Sequence, residues 1–439
     1  MMVSPKIQQE ASADDATRSP RMRSPERSQA VDPMSIDKLI PEDQPARVVW
    51  ELTHELDMTP LYDQINAVEG HPGRPPIDAQ LLTGLWIYAT SDGVSSARQL
   101  AGLCKEHDAY KWLCGGVSVN YHTLADFRTQ HQSWLEEQVV TNIAVMRQEE
   151  LIDLNQVGQD GMRVRASAGS DSFKREEKLE ELLQEAQTQW DRLQEEFDNG
   201  SSEATARQRA ARERAARQRV ERLERAKEER KQVAAAREAR KKGDGQHARA
   251  STTDPEARRM KMGDGGFRPA YNVQFATTLD TLVIASYDVI NSGSDGGQMD
   301  PMVEQIEQQQ GELPNEYYTD GGFSTKNDIE NVGQRGVTVY TPIKEVEKKK
   351  KEGKNPFAPQ KGDGPKVAKW RERMGTEEAQ EKYKQRCKCE WPNAGCRNRG
   401  LHQFRVRGLE KVKSVVLWHI LVHNLQRMVA LRAQRAEAT

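Results

Sequence analysis

Near Gln156 the spacing of apolar residues changes from the three-to-four step of helices to the two-step of strands, so the two sides of that point cannot share one architecture. Upstream, ARVVWELTHELDMTPLYDQI, DAQLLTGLWIYATSDG, SARQLAGLCKEH, AYKWLCG and NYHTLADFRTQHQSWLEEQVVTNIAVMRQEEL read as successive amphipathic helices with short polar breaks. They predict an all-helical domain over residues 35–152. Residues 1–34, poor in apolar side chains and rich in Ser, Pro and Arg, predict a disordered tail. Within the helical domain, residues 95–104, 108–113 and 121–131 form a compact tri-helical run. Read as a helix-turn-helix, it makes 121–131 the recognition helix and exposes Asn120, His122, Thr123, Arg128 and Gln130 to DNA. An ordinary helical bundle without DNA contact fits the same pattern.

Downstream, QVGQDGMRVRASA alternates like a strand, with Asp160 at its centre. A helical insertion follows over 173–245. Its first half carries Leu179, Leu183, Ala186, Trp190, Leu193 and Phe197 in a heptad seam, residues 199–202 break it, and its second half is Arg-rich. An antiparallel, coiled-coil-like hairpin is expected, its basic arm either lying along phosphates or simply solvated. FRPAYNVQFATT and DTLVIASYDVI then read as a strand hairpin. A helix over 297–310, a strand at EYYTDGG, a helix over 326–334 and a strand at VTVYTPI complete an α/β layout. Residues 344–366 form a Lys/Gly/Pro loop expected not to pack, and helices close the chain from Thr376.

Three acidic residues stand out within this layout. Asp160 lies mid-strand, where an ionised carboxylate is costly unless it binds something. Asp320 ends a strand before Gly321-Gly322, the flexible backbone expected where a strand tip opens onto a site. Glu390 belongs to a Y-x2-R-x3-E-x6-R block formed by Tyr383, Arg386, Glu390 and Arg397. Helical spacing places its first three members along one side of a helix, a carboxylate flanked by cations. A solvated, salt-bridged helix face would show the same block. If the fold brings the three carboxylates together, their hard oxygens suit Mg2+ or Mn2+, and two such ions can clamp both oxygens of an in-line phosphoryl transfer.

Composition narrows the alternatives. With 36% hydrophobic and 30% charged residues the chain is polar, and no run approaches the roughly 18–20 apolar residues of a membrane span. No apolar leader opens the sequence, and five cysteines in so long a chain suit a reducing cytoplasm. The net charge of -2 is weak support for nucleic-acid binding, but the 65 basic and 67 acidic residues fall in blocks that create local potential.

On these residues the chain resembles the DDE transposases of bacterial insertion sequences that carry a Y-x2-R-x3-E-x6-K signature. The likeness runs from about Leu39 to Leu431 through GRPPIDAQLLTGLWIYATSDGVSSARQLAGLCKEHDAYKWLCGG, DGMRVRASA, DGGFRPAYNVQ, NSGSDGGQMDPMVEQIE, YTDGGFSTKNDIE and RGLEKV…HNL. It implies a ribonuclease H-like catalytic domain over 153–439, interrupted once by the helical insertion. Asp160, Asp320 and Glu390 would be the catalytic and metal-binding triad. Tyr383, Arg386 and Arg397 would position DNA phosphates. Two Mg2+ or Mn2+ ions would serve as cofactors. The implied reaction is hydrolysis at the transposon end followed by attack of the freed 3′-OH on target DNA. Double-stranded DNA, as terminal inverted repeats and target, would be the partner, held by the N-terminal helices, with a homodimer pairing the ends in a synaptic complex at the nucleoid. The chain departs from the signature at Arg397, where Lys is usual, and at Pro392, which would kink or end the helix of Glu390.

Other readings stay open. Cys387, Cys389 and Cys396 beside His402 invite zinc, but no second C-x2-C pair exists. His402, His419 and His423 lack a G-x-S-x-G partner, and the latter two read as face residues of the last helix. A DNA-binding protein with a decayed centre, or a metal-dependent nuclease that cuts without joining, would share most of these features.

Overall fold

The computed structural model describes residues 22–27, 30–31, 34–67, 75–198 and 205–438, in two compact units that divide after Trp134. Most of the expected 1–34 tail, and the 199–202 break, lie outside the described residues.

The first unit pairs β1 (Ala30–Val31) with β2 (Met34–Ser35). It then stacks helices α1 (Pro45–Thr53), α2 (Thr59–Tyr62), α3 (Ala79–Ser91), α4 (Ala97–Glu106), α5 (Asp108–Cys114) and α6 (Tyr121–Gln130). Helix α3 is apolar on nearly every side and forms the centre, with Leu81, Leu85 and Trp86 fully buried. Polar caps set where the helices start: Asp78, Ser96 and Asn120 each accept from backbone N–H groups of the first turn. Residues 22–27, inside the expected tail, lie against these helices. The Arg27 guanidinium sits 3.7 Å from the Trp50 ring centre and 4.4 Å from that of Trp112, which gives a polar segment a stacking partner.

The second unit holds most of α7 (Gln132–Gln148) and a mixed sheet. Its first strand, β3 (Gln156–Arg165), lies centrally, parallel to β9 (Glu316–Thr319) and antiparallel to β7 (Phe267–Thr278). Strand β10 (Thr338–Tyr340) adds parallel to β9. The other edge of β7 carries β6 (Arg258–Lys261) and then β8 (Ile284–Ile290), both antiparallel. Over one face pack α10 (Met299–Gln310), α11 (Lys326–Gln334) and α13 (Pro365–Met374), burying Val303, Ile306, Val332 and Trp370 with Tyr317 and Tyr318. Helix α16 (Leu409–Ala438) lies against β8, where the buried Asn424 side chain bonds both the N–H and the C=O of Ile284.

The insertion leaves this body through a small ribbon, β4 (Phe173–Lys174) paired with β5 (Ala250–Ser251). It forms the expected antiparallel hairpin of α8 (Glu176–Asp198) and α9 (Ala206–Arg240). Glu176 meets Arg230 at 2.7 Å and Glu180 meets Lys227 at 2.8 Å, so part of the Arg-rich arm is spent on its partner helix. Of the heptad seam, Leu179 and Ala186 are buried, whereas Leu183, Trp190, Leu193 and Phe197 stay half-covered. The seam closes at the root.

Two expectations need correction here. Residues 344–366 do pack: they hold α12 (Val346–Lys351), place Phe357 against the core, and bury the Asp363 carboxylate between Arg371 at 2.6 Å and Lys326 at 2.7 Å. A single ion-paired carboxylate anchors a loop whose composition is otherwise that of a linker. Pro392 does not end its helix either. Helix α15 (Glu390–Asn398) runs on past it, because a first-turn N–H has no intrahelical partner to lose. One turn earlier, residues Lys384–Cys389 tighten into a 3-10 turn between α14 (Glu377–Tyr383) and α15.

Candidate active site

The parallel pairing of β3 and β9 places Gln159 opposite Thr319, so the next residue of each strand, Asp160 and Asp320, emerges side by side at the same end of the sheet. The α14–α15 segment crosses β3 there, and a glycine makes the crossing possible. A Cβ on Gly158 would stand 2.0 Å from the Cys389 sulfur, a distance no side chain tolerates. With glycine on the strand, the 3-10 turn can lie directly on it.

That contact brings Arg386 between two acids. One guanidinium nitrogen donates to Asp160 Oδ1 at 2.7 Å and another to Glu390 Oε1 at 2.9 Å. Asn393, one turn on, donates to Asp160 Oδ2 at 2.8 Å. Tyr383 donates through its hydroxyl to the Thr319 carbonyl at 3.2 Å. Asp320 is held by its own turn: Gly322 N–H donates to Oδ1 at 2.7 Å, and the Thr341 hydroxyl donates to its carbonyl. Burial pushes the Asp160 carboxyl above its ordinary range; Arg386 and Asn393 pull against that, and the nearby Asp320 charge adds to the rise. Burial opposes the charge on Arg386, but Asp160, Tyr383 and Asp320 together hold its pKa above the usual value.

Asp160, Asp320, Glu390, Tyr383 and Arg386 therefore share one end of the sheet, and Arg397 stands exposed in the last turn of α15. Glu390 is 61% exposed and reaches Asp160 only through Arg386. Among the described residues no group of three or more His, Cys, Asp or Glu stands in metal-holding geometry. The donors are nonetheless of the right kind for a hard cation. They are acid oxygens, and Asn393, which holds Asp160, keeps a buried, unpartnered Oδ1, with a cationic guanidinium already drawn between two carboxylates.

Sequence reasoning missed Asp295. Its carboxylate accepts from Asn272 at 2.7 Å, Gln274 at 3.1 Å and Arg163 at 3.2 Å. A Cβ on Gly322 would lie 2.9 Å from Asp320 Oδ1 and 3.4 Å from Asp295 Oδ2, so the two acids flank one glycine. Its only signal was an acidic residue in a Gly/Ser-rich turn, which turns use routinely.

The five expected DNA-reading residues divide. His122 and Gln130 are exposed and Thr123 is partly so. The Asn120 side chain is occupied as the α6 cap, accepting from His122 and Thr123 N–H at 3.0 Å. Arg128 is not exposed. It is 4% accessible, lies over the Trp86 ring and donates to the Ser95 carbonyl at 2.7 Å. Helical periodicity puts position 128 beside Leu124 and Phe127 on the core side, and an aromatic ring there accommodates the cation.

The cysteines do not gather. Cys389 is pressed onto β3, Cys396 lies near Arg399, and Cys387 is exposed. Burial pushes the first two thiols up to about 12 and about 11, far from the thiolate that zinc requires. His419 and His423 are buried in α16, as helix-face residues.

Comparison with known proteins completes the description. A family model described as a transposase DDE domain matches residues 244–425, which include Asp320, Asp295 and the whole Tyr383–Arg397 block. A second, described as a transposase domain, matches residues 34–130. Strand β3 with Asp160 and most of the helical arm fall between the two matches. Searches of curated proteins and of solved structures give no match. The two matches together support a DDE-type transposase of an insertion sequence.

Proposed function

We propose that this chain cuts DNA at the ends of an insertion sequence and joins the freed 3′-OH to target DNA, using Asp160, Asp320 and Glu390. The observation that carries the reading is the position of Arg386, bonded at once to Asp160 at 2.7 Å and Glu390 at 2.9 Å, with Asp320 in register alongside. It ties a mid-strand aspartate, which the transposase DDE match does not reach, to the glutamate of the block inside that match. We read the sheet as ribonuclease H-like: three antiparallel strands, β3, β7 and β8, extended on the other side of β3 by the parallel β9 and β10. The central strand and its parallel neighbour supply the two aspartates, and a later helix supplies the glutamate.

Asp160, Asp320 and Glu390 are the residues that would hold divalent metal, Mg2+ or Mn2+, as two ions that would supply water activation and leaving-oxygen stabilisation for phosphodiester cleavage. The chain's own residues do the positioning. Arg386 orients Asp160 and Glu390 and presents positive charge to the scissile phosphate. Tyr383, anchored on the Thr319 carbonyl, fixes the backbone that carries Asp320. Arg397, exposed in the last turn of α15, offers its cation to a neighbouring phosphate. Terminal repeats would be held by the helical unit through His122, Thr123 and Gln130, and two copies would synapse the ends.

The test is cleavage and strand joining of a labelled DNA end, taken from the flanks of this chain's own gene, in Mg2+ with the native chain and Asp320→Ala. Joined product from the native chain alone supports the proposal. Cleavage without joining by the native chain would make it a nuclease. Binding without cleavage by either protein would reduce it to a DNA-binding protein, and equal cleavage by both would remove Asp320 from the site.

A further inference from the structure

At the root of the helical arm, α9, the loop before β5, β6 and the start of β7 enclose a cavity of about 380 Å³. It lies within the second unit, on the opposite edge of β7 from Asp160. Its lining carries charge of one sign, from Arg237, Arg249, Arg258 and Arg259, beside His247, with no carboxylate among the lining residues. Some of these cations are committed. Arg258 pairs with Glu229, and Arg237 with Asp244 at 3.0 Å. Arg249 and Arg259 are exposed and have no ion-pair partner among the described residues. The apolar part of the lining includes Phe267, which is 57% exposed although it opens a strand whose later residues are buried. A large aromatic ring left in solvent beside unpaired guanidiniums is poorly explained by folding alone. The combination matches a ligand that is both flat and anionic: the ring offers a stacking face and the arginines offer phosphate contacts.

We propose that this cavity takes one unpaired nucleotide of a DNA strand, its base against Phe267 and its phosphate on Arg249 and Arg259. The inference rests on the transposase reading, which makes DNA the relevant source of such a ligand. The volume suits one base and its sugar-phosphate rather than a duplex, whose stacked bases present no free face. Position also fits. Phe267 precedes by eight residues the Phe275 that pairs with Asp160, a separation of about 27 Å along the strand. A DNA strand leaving the carboxylates would reach the cavity after about eight nucleotides.

The test measures binding of the full chain to fluorescein-labelled (dT)12 and to a 12-bp duplex, by anisotropy across a salt series. Phe267→Ala is expected to weaken (dT)12 binding by about five- to a hundred-fold, the range of one lost base stack, and duplex binding by less than about twofold. Phe267→Trp should retain the single-strand affinity. Arg259→Ala should lower the salt slope for (dT)12 by about one. Because both side chains are exposed, neither change removes a core contact. Unchanged (dT)12 binding by Phe267→Ala overturns the proposal, as does an equal loss on duplex, which would mark a plain phosphate-binding patch. If the native chain binds neither DNA, the transposase reading fails with it; duplex binding with an indifferent Phe267 removes the cavity proposal alone.

Discussion

Arg386 and Arg128 show how the same residue type takes opposite roles according to what faces it. Arg386 has two carboxylates within hydrogen-bond reach, and its planar fork can serve both at once. Arg386→Lys keeps the charge but loses one arm of that bridge. Losing a charge-assisted hydrogen bond of about 1.5–3 kcal/mol predicts single-turnover DNA cleavage slowed by about ten- to a hundred-fold, with a larger loss in Arg386→Ala. Native rates in Arg386→Lys would show that the two-armed contact is not used. Arg128, by contrast, is folded against Trp86 and the Ser95 carbonyl. Arg128→Ala should therefore lower stability by about 1–3 kcal/mol, seen as a lower Tm, and leave DNA affinity intact well below that temperature. Gln130→Ala should do the reverse. An Arg128→Ala protein of native Tm with weakened DNA binding would return Arg128 to the DNA-reading face.

Among the elements, those with a strong local period were readable from sequence and those defined by contact were not. Strand β7 spans the whole of FRPAYNVQFATT, α11 the whole of 326–334, and α8 and α9 form the hairpin that the heptad seam and the Arg-rich half imply. Strand β6 gave no such signal, because RRMK has one apolar residue and becomes a strand only by pairing with β7. The carboxylates Asp160 and Asp320 were legible because an acid in or beside an apolar strand is conspicuous, whereas Asp295 sat in a turn where acids are ordinary. The decisive element contact was silent in sequence altogether: the 3-10 turn at Lys384–Cys389 lies on β3 only because residue 158 is glycine. Gly158→Ala puts a methyl into the Cys389 sulfur, and overpacking of that kind costs about 1–3 kcal/mol. The turn must lift off the strand, taking Arg386 away from Asp160. Gly158→Ala should thus lose cleavage activity together with stability, and Cys389→Ala in the same chain should restore part of both. No rescue in the double variant would mean that the two elements do not meet as described.

For the whole molecule, two buried groups outside the candidate active site, His423 and Asp363, set a pH dependence of folding. His423 lies inside the α16 contact with β8, its Nε2 bonded to the Leu282 carbonyl at 2.7 Å and its Nδ1 facing Arg399 at 3.1 Å. Burial, aided by the charges of Arg399 and Arg427 and opposed by the bond to Leu282, lowers its pKa from 6.5 to about 4. The folded imidazole stays neutral where the unfolded one takes up a proton, so the unfolded chain binds more protons in that interval. Stability is then fully present above pH 6.5 and falls as pH drops towards 4, by about 3 kcal/mol in all. Asp363 acts lower on the scale. Burial alone would raise its pKa, but Arg371 and Lys326 override this and bring it from 3.8 to about 2. Its contribution is present above pH 3.8 and lost as pH falls through 2. Chemical denaturation of the native chain and His423→Gln between pH 8 and pH 4 separates the two, since the amide can still donate to Leu282 but does not titrate. The difference between the two stability curves should be flat above pH 6.5 and slope below it, with the native chain losing ground to the variant. Parallel curves down to pH 4 would mean that His423 ionises as freely in the folded chain as in the unfolded one, and that the α16 contact admits water.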